Sequence, residues 1–417
     1  MPQSSLRRLL ALTGVAAALC SQAQTIKPPQ AQAWIDVATF SGLAMPSGGM
    51  AGASPMAMMG GMFGGGAAAG NSFGQTQAGA AGRWLDVTLF TRANAQLAEA
   101  QQAVPPGFMS PALQLRAPSD GRAAPPDDDK VVEQPTERPQ GRLLLYWGCG
   151  ATVRPGQPKV LDMASASAAD LANFFVARRA TQRGAHSAAG RPLWPNPADA
   201  RMLPQQASLV GEHAFSGAGV PQGFRFQIPP AQDLMPALQL QTSDAAGATE
   251  LRWNAIATAR AYFAAAMGAR GDHEMVLWTS SELPDSGMGL VDYQTNPAVD
   301  RWLREKVLLG PATTQCTVPK GVLAGEGAML RVIAYGNELN LVHPPRPADP
   351  KADWAPVWAV KLRLKSVATV MPGMGEMPHM PAGGREAPPP GQPAQGGDDK
   401  PGDLMPKAGE LLRGIFR

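Results

Sequence analysis

The stretch Gly141–Gly150, reading Gly-Arg-Leu-Leu-Leu-Tyr-Trp-Gly-Cys-Gly, is the most strand-like run of the chain, and it has a partner further on. Leu145-Tyr146-Trp147 is followed by Ala151-Thr152, and Leu251-Arg252-Trp253 is followed by Ala257-Thr258. Both fit Leu-x-Trp-x-x-x-Ala-Thr, with the tryptophans 106 residues apart. The same offset carries Phe224-Arg225 onto Leu330-Arg331, Leu203 onto Leu309 and Ala218-Gly219 onto Ala324-Gly325. This spacing predicts a tandem duplication, in which two β-rich repeats each bury their tryptophan in a core of their own.

A second, shorter repeat lies upstream. Trp34-Ile35-Asp36-Val37-Ala38-Thr39-Phe40 and Trp84-Leu85-Asp86-Val87-Thr88-Leu89-Phe90 both fit Trp-[Ile/Leu]-Asp-Val-x-x-Phe, fifty residues apart. Each is short, β-branched and aromatic, which predicts two strands. Between them, 41–82 is almost entirely Gly, Ala, Met and Ser. A segment of that composition buries too little to offset its ordering entropy, so it is expected to be disordered.

The front end reads as an export signal. Arg7 and Arg8 precede an apolar run, Leu9 to Leu19, that is too short to span a bilayer. Ser21-Gln22-Ala23 supplies small residues for cleavage, so 1–23 is expected to be removed. No other apolar run reaches membrane-spanning length. The expectation is an exported protein, periplasmic or secreted, with no transmembrane segment.

Pro (41) and Gly (46) make up about a fifth of the chain, enough to expect disordered segments beside folded ones. A net charge of +3 on 417 residues gives no electrostatic case for nucleic acid. The expected organisation is an N-terminal strand unit over 24–104 and a first β-sandwich over 105–230 with a flexible linker at 117–140. A second sandwich follows over 231–366, then a disordered Met-, Pro- and Gly-rich tail over 367–417. Short helices are expected at 92–103, after Ser167 with Asp170 completing a capping box, and from Asn296-Pro297.

Two cysteines remain after the leader, Cys149 and Cys316. Leu145, Trp147 and Cys149 share one side of a strand, and Cys316 and Val318 one side of another. If both are core faces of separate repeats, the two thiols are free and buried.

Residues 249–337 resemble a fibronectin type III or related immunoglobulin-like domain. The resemblance is carried by Glu250-Leu-Arg-Trp-Asn-Ala-Ile-Ala-Thr-Ala-Arg-Ala-Tyr262, similar to that family's early strand pair. Cys316-Thr-Val-Pro-Lys-Gly-Val-Leu-Ala-Gly325 with Leu330-Arg-Val-Ile-Ala-Tyr335 is similar to its late pair. It implies a sandwich, and such modules mostly bind or space. A helix near 297–308 departs from the family pattern.

Motifs for chemistry are sparse. His273-Glu274 begins a zinc-protease motif, but Leu277 stands where the second histidine belongs. Ser216 lacks the flanking glycines of a nucleophile elbow. Arg270-Gly271-Asp272 fits a turn, and Arg178, Arg179, Arg183 and Arg191 read as a solvated helix end or as an anion patch. Trp278, Trp302, Trp354 and Trp358 crowd the second repeat. They are core residues or an exposed strip for a carbohydrate or protein partner. Met371, Met374, Met377 and Met380 recur every three residues beside His379, and Met56, Met59 and Met62 do likewise. Thioethers and imidazole suit Cu(I), although three residues of extended chain advance about 9 Å, too far for neighbours to share one ion. The tail 403–416 is an amphipathic helix that would dock on the fold, a membrane surface or a partner. The resulting expectation is a non-enzymatic binding or scaffold protein of the bacterial envelope. The alternatives are a periplasmic copper-binding protein and a hydrolase on a sandwich scaffold.

Overall fold

The computed structural model describes residues 27–43, 71–78, 80–109, 112–118, 141–175, 178, 184–271, 273–323, 327–349 and 352–372. The expected leader, most of 41–82 and 117–140, and the tail from 373, where a helix is expected at 403–416, lie outside the described residues.

The described chain is mainly β. Its first half supplies β1 (Ala31–Gly42), β2 (Gly82–Thr91), β3 (Glu99–Ala103), β4 (Ala112–Arg116), β5 (Arg142–Trp147), β6 (Lys159–Asp162), β7 (Leu193–Trp194), β8 (Gly211–Gly217) and β9 (Arg225–Ile228). Its second half supplies β10 (Leu240–Ala245), β11 (Ala248–Trp253), β12 (Ala259–Arg270), β13 (Glu274–Thr279), β14 (Gln315–Val318), β15 (Met329–Gly336), β16 (Leu339–His343) and β17 (Trp358–Val370). Helices α1 (Gln75–Ala78), α2 (Ala168–Phe174) and α3 (Asn296–Arg304) are short. Ser167 and Asp170 form the expected capping box on α2, and Thr295 caps α3 with Pro297 in its first turn.

Fourteen strands make one sheet, ordered β6-β5-β13-β12-β15-β17-β1-β2-β7-β4-β3-β8-β9, with β16 on β17. A three-stranded sheet, β10-β11-β14, lies apart. The chain's first and last described strands, β1 and β17, pair in parallel at the middle of the large sheet. Both are buried on both faces along most of their length, as central strands of a covered sheet must be.

One face of the large sheet and the small sheet close the largest core. Ala33, Ile35 and Val37 of β1, Leu362 and Leu364 of β17, and Leu251, Trp253 and Val318 of the small sheet meet in it. On the other face, Ala38, Phe40, Trp84, Phe263 and Tyr335 pack under Val299 and Trp302 of α3. A third cluster sets Leu143, Leu145 and Leu277 against Phe174 of α2.

Three expectations are corrected. The strands placed in separate repeats pair with one another: β5 runs parallel to β13, with Trp147 beside Thr279. Trp147 packs on the third cluster and Trp253 in the largest core, from different sheets. The boundary expected at 230/231 therefore does not interrupt the large sheet. Cys149 and Cys316, expected as free thiols, form a disulfide with Cα atoms 5.3 Å apart. The parity argument fails because β5 ends at Trp147 and Gly148 turns with a φ of +89°, a conformation glycine adopts without steric cost. That turn swings Cys149 onto the largest core, where Cys316 lies, and Gly150 N donates to Thr317 O (2.9 Å). The helix expected at 92–103 is instead a turn followed by β3. Its Ala100 and Gln102 are buried in alternation with exposed neighbours, a two-residue period.

Candidate functional site

The repeated Trp-[Ile/Leu]-Asp-Val segments become adjacent antiparallel strands, and their register sets Asp36 directly opposite Asp86. On the other side of β1, Arg363 of β17 stands beside Asp36. Since Ala33, Ile35 and Val37 enter the largest core, the alternation of a strand sends Trp34, Asp36 and Ala38 to the opposite face. There they form rows with their neighbours: Lys361–Trp34–Thr88, Arg363–Asp36–Asp86 and Lys365–Ala38–Trp84. A polar layer thus crosses the centre of an otherwise apolar fold.

Asp36 and Arg363 are both buried and join through two hydrogen bonds, from Nε to Oδ1 (2.7 Å) and from Nη2 to Oδ2 (2.6 Å). Ala185 N donates a third, 2.9 Å to Oδ2. Gly184 lies so close above that a Cβ there would sit 1.7 Å from Arg363 Nη2 and 2.7 Å from Asp36 Oδ2. The backbone of 184–185 thus seals the pair, which only glycine permits. Burial pulls the Arg363 guanidinium down, but the charge and hydrogen bonds of Asp36 outweigh it and hold Arg363 above its ordinary value.

Asp86 has different company. It accepts from Gly74 N (2.9 Å), Thr76 N (3.3 Å) and the Thr76 hydroxyl, all uncharged donors around α1. Burial drives its carboxyl up to about 7; the Thr76 and Gly74 hydrogen bonds oppose the rise, and the charge of Asp36 adds to it.

Next to this row, Lys365 is fully buried with Nζ 3.3 Å from Oδ1 of the partly exposed Asp292. Burial lowers the Lys365 amine below its usual value, against the pull of Asp292. Burial also pushes Asp292 up, yet Lys365 and Arg363 outweigh that and leave it below the ordinary carboxylate range. The Tyr293 ring lies under both cations, 4.4 Å from the Arg363 guanidinium carbon and 4.3 Å from Lys365 Nζ. Such contacts contribute most where water is excluded. Burial raises the Tyr293 phenol well above its ordinary value.

Chemically, two facing carboxylates beside an arginine and a lysine resemble acid–base machinery. Here the acceptors of Asp36 are taken by Arg363 and Ala185, and those of Asp86 by Thr76 and Gly74. The arrangement clamps the 71–78 and 184–185 segments onto the sheet. It also leaves Asp86 as a proton-binding group among paired charges.

Of the four tryptophans read as core residues or an exposed strip, Trp278, Trp302 and Trp358 are interior. Trp278 is fully buried and donates to Gly148 O (3.1 Å). Trp302, on α3, is buried in the second core, and Trp358 is buried, stacked on Phe224 and on His343. Trp354 is half-buried, donates to Pro344 O (3.0 Å) and carries Arg346 over its ring. The four therefore do not form one strip. A β-strand hides alternate residues on each face of a two-sided sheet, so crowding in sequence does not produce a surface row.

Met371 is half-buried at the end of β17's turn, while Met374, Met377, His379 and Met380 lie outside the described residues, as do Met56, Met59 and Met62. Among the described residues, no group of three or more His, Cys, Asp or Glu side chains is placed to hold a metal ion. Of the four arginines, Arg178 pairs with Asp285 (2.7 Å) and Glu305 (2.9 Å). Arg179 and Arg183 lie outside the described residues, and Arg191 lies over the rings of Trp34 and Phe90. Because α2 ends at Phe174, Arg178 and Arg191 do not belong to its end. Arg270 is turned inward, over the Tyr146 ring and donating to Gly321 O (2.8 Å).

Arg363, Lys365 and Asp292 were missed by sequence reasoning. The one available signal was the repeated aspartate within an apolar strand, since a buried carboxylate demands a partner. Among the described residues, no helix is long and apolar enough to cross a membrane. The chain matches no protein-family model, no curated protein and no solved structure.

Proposed function

We propose that the chain is an exported, non-enzymatic binding or scaffold protein of the bacterial envelope. The observation that carries this reading is the Cys149–Cys316 bridge, which joins residues 167 apart. Disulfides of this kind persist in oxidising compartments and are rare in the cytosol. That agrees with the leader-like residues before Gln24. The non-enzymatic part is supported by the polar layer, whose carboxylates spend their acceptors on Arg363, Ala185, Gly74 and Thr76.

The fibronectin type III-like character of 249–337 belongs to the same proposal. Strands β11 and β14 lie in the small sheet and β12, β13 and β15 in the large one. Trp253 and Tyr262 meet in the core between them with ring centroids 5.7 Å apart. Two layers over one core are the arrangement expected of a binding or spacer module, although β5 and β17 continue the large sheet beyond it.

The test is thiol counting on the full-length gene product expressed with its leader and recovered from the envelope fraction. The mature protein should show no free thiol in denaturant without reductant and two after reduction. Two thiols before reduction, or recovery only from the cytoplasm, would contradict the proposal.

A further inference from the structure

Along the first row of the polar face, three hydrogen-bonding atoms are buried without a partner: Trp34 Nε1, Thr88 Oγ1 and Arg191 Nη1. They gather on one patch. Trp34 and Thr88 are directly opposite each other on β1 and β2. The Arg191 guanidinium carbon lies 5.0 Å from the Trp34 ring centroid and 4.7 Å from that of Phe90. Phe90 is two residues beyond Thr88 on the same face of β2, and Leu89 N donates to Pro192 O (3.0 Å), which anchors Arg191 above these strands. Two of the three atoms can only donate, and the third, a hydroxyl, can donate as well.

Such a set is costly to leave empty, because a buried donor without an acceptor forfeits its hydration. The cost is greater for Arg191, which forms no ion pair with any carboxylate among the described residues. Burial without compensation lowers its guanidinium from the ordinary value. Three other cations of this face have an acid: Arg363 has Asp36, Lys365 has Asp292, and Lys361 has Glu338 at 3.3 Å; Arg331 of β15, on the same face, is buried and pairs with no carboxylate among the described residues. No carboxylate among the described residues pairs with Arg191, and its Nη1 is buried without a hydrogen-bond partner. The edge of the Trp34 ring is covered by His186, with centroids 5.8 Å apart. His186 is exposed on the segment that follows the Gly184–Ala185 seal.

We propose that the Trp34–Thr88–Arg191 patch is a binding site for a small carboxylate. A carboxylate supplies a negative charge and has acceptor capacity for all three donors. It pairs with guanidinium in a planar fork, and Arg191, held over the rings of Trp34 and Phe90, has Nη1 without a partner. Since the three atoms have no exposed surface, the ligand is small: a free monocarboxylate such as formate or acetate rather than a peptide side chain. It enters where the His186 segment covers Trp34. This inference does not depend on the envelope reading and stands or falls separately from the thiol count.

The experiment is a titration of the full-length mature protein with sodium formate and sodium acetate, at constant ionic strength balanced with sodium chloride. The readout is the Trp34 indole N–H resonance, assigned by its loss in Trp34→Phe. A saturable shift is expected in the wild type. Arg191→Gln should weaken binding at least tenfold, and Thr88→Val, which keeps the shape of the side chain, severalfold. Arg191→Lys keeps the charge but loses the fork, and should fall between wild type and Arg191→Gln. Spectra of each variant without ligand report whether it is folded, and Thr88→Val carries the test should the arginine variants not fold. No saturable shift in the wild type, equal binding by folded Arg191→Gln or Thr88→Val, or a shift only with an aspartyl peptide would each overturn the proposal. The first result would mean that water fills the patch.

Discussion

Asp36 and Asp86 occupy the same place in the same motif, face each other across two strands and are equally buried, yet their surroundings differ in kind. Asp36 meets a cation in a two-point contact under a glycine-backed seal. Asp86 meets hydroxyl and amide donors alone. The difference shows that a repeated motif places a charge but does not choose its partner. The partner comes from whichever strand the topology brings alongside: β17 next to Asp36, and the α1 segment over Asp86. A buried carboxylate held by neutral donors alone keeps its proton more tightly than a solvated one, as at Asp86.

The largest effect expected from this contrast is at Arg363. Arg363→Met leaves Asp36 buried and unpaired, a situation that typically costs about 3–5 kcal/mol. The double variant Asp36→Leu with Arg363→Leu should recover most of that loss in urea unfolding. Equal loss from the single and double variants would mean that the pair is not coupled.

At Asp86 the sign runs the other way. Its folded-state value, raised to about 7 from 3.8, means that the folded chain binds this proton more tightly than the unfolded chain. The stability it contributes is fully present below the unfolded value and is lost as pH rises to about 7. Asp86→Asn should therefore flatten the decline in melting temperature over that window, and at pH 8 it should be no less stable than wild type. A steeper decline in the variant would reverse the assignment.

Thr76→Val sharpens the same contrast with a smaller change. It removes the hydroxyl hydrogen bond that opposes the rise at Asp86. Loss of about 1 kcal/mol is expected, together with titration of Asp86 at a higher pH than in wild type. A downward shift would show that the hydroxyl acts as an acceptor from a protonated Asp86.

Much of the strand pattern was legible from residues alone. Alternation and β-branching marked 33–40, 83–90, 142–147 and 329–335, and the Ser167–Asp170 pair marked α2. What was not legible was pairing across long separations. Nothing local in Trp358–Val370 says that it lies beside Ala31–Gly42, so Arg363 could not be matched with Asp36. The 106-residue repeat misled because Leu-x-Trp is a pattern that any half-buried strand satisfies. Its two copies fall in different sheets. The cysteine parity failed at one residue, Gly148, whose positive φ ends the alternation. Arg191 was noticed only as one of several arginines. Its position over Trp34 and Phe90 depends on the tie between Pro192 and β2.

The contrast between the two aspartates is tested most directly by following the carboxyl carbons of aspartate by NMR through a pH titration of the wild type and Asp86→Asn. One aspartate should titrate with a midpoint near 7, and that curve alone should vanish in the variant. If every aspartate of the wild type titrated in the ordinary range near about 4, or if the curve near 7 persisted without Asp86, the account of the polar layer would be contradicted.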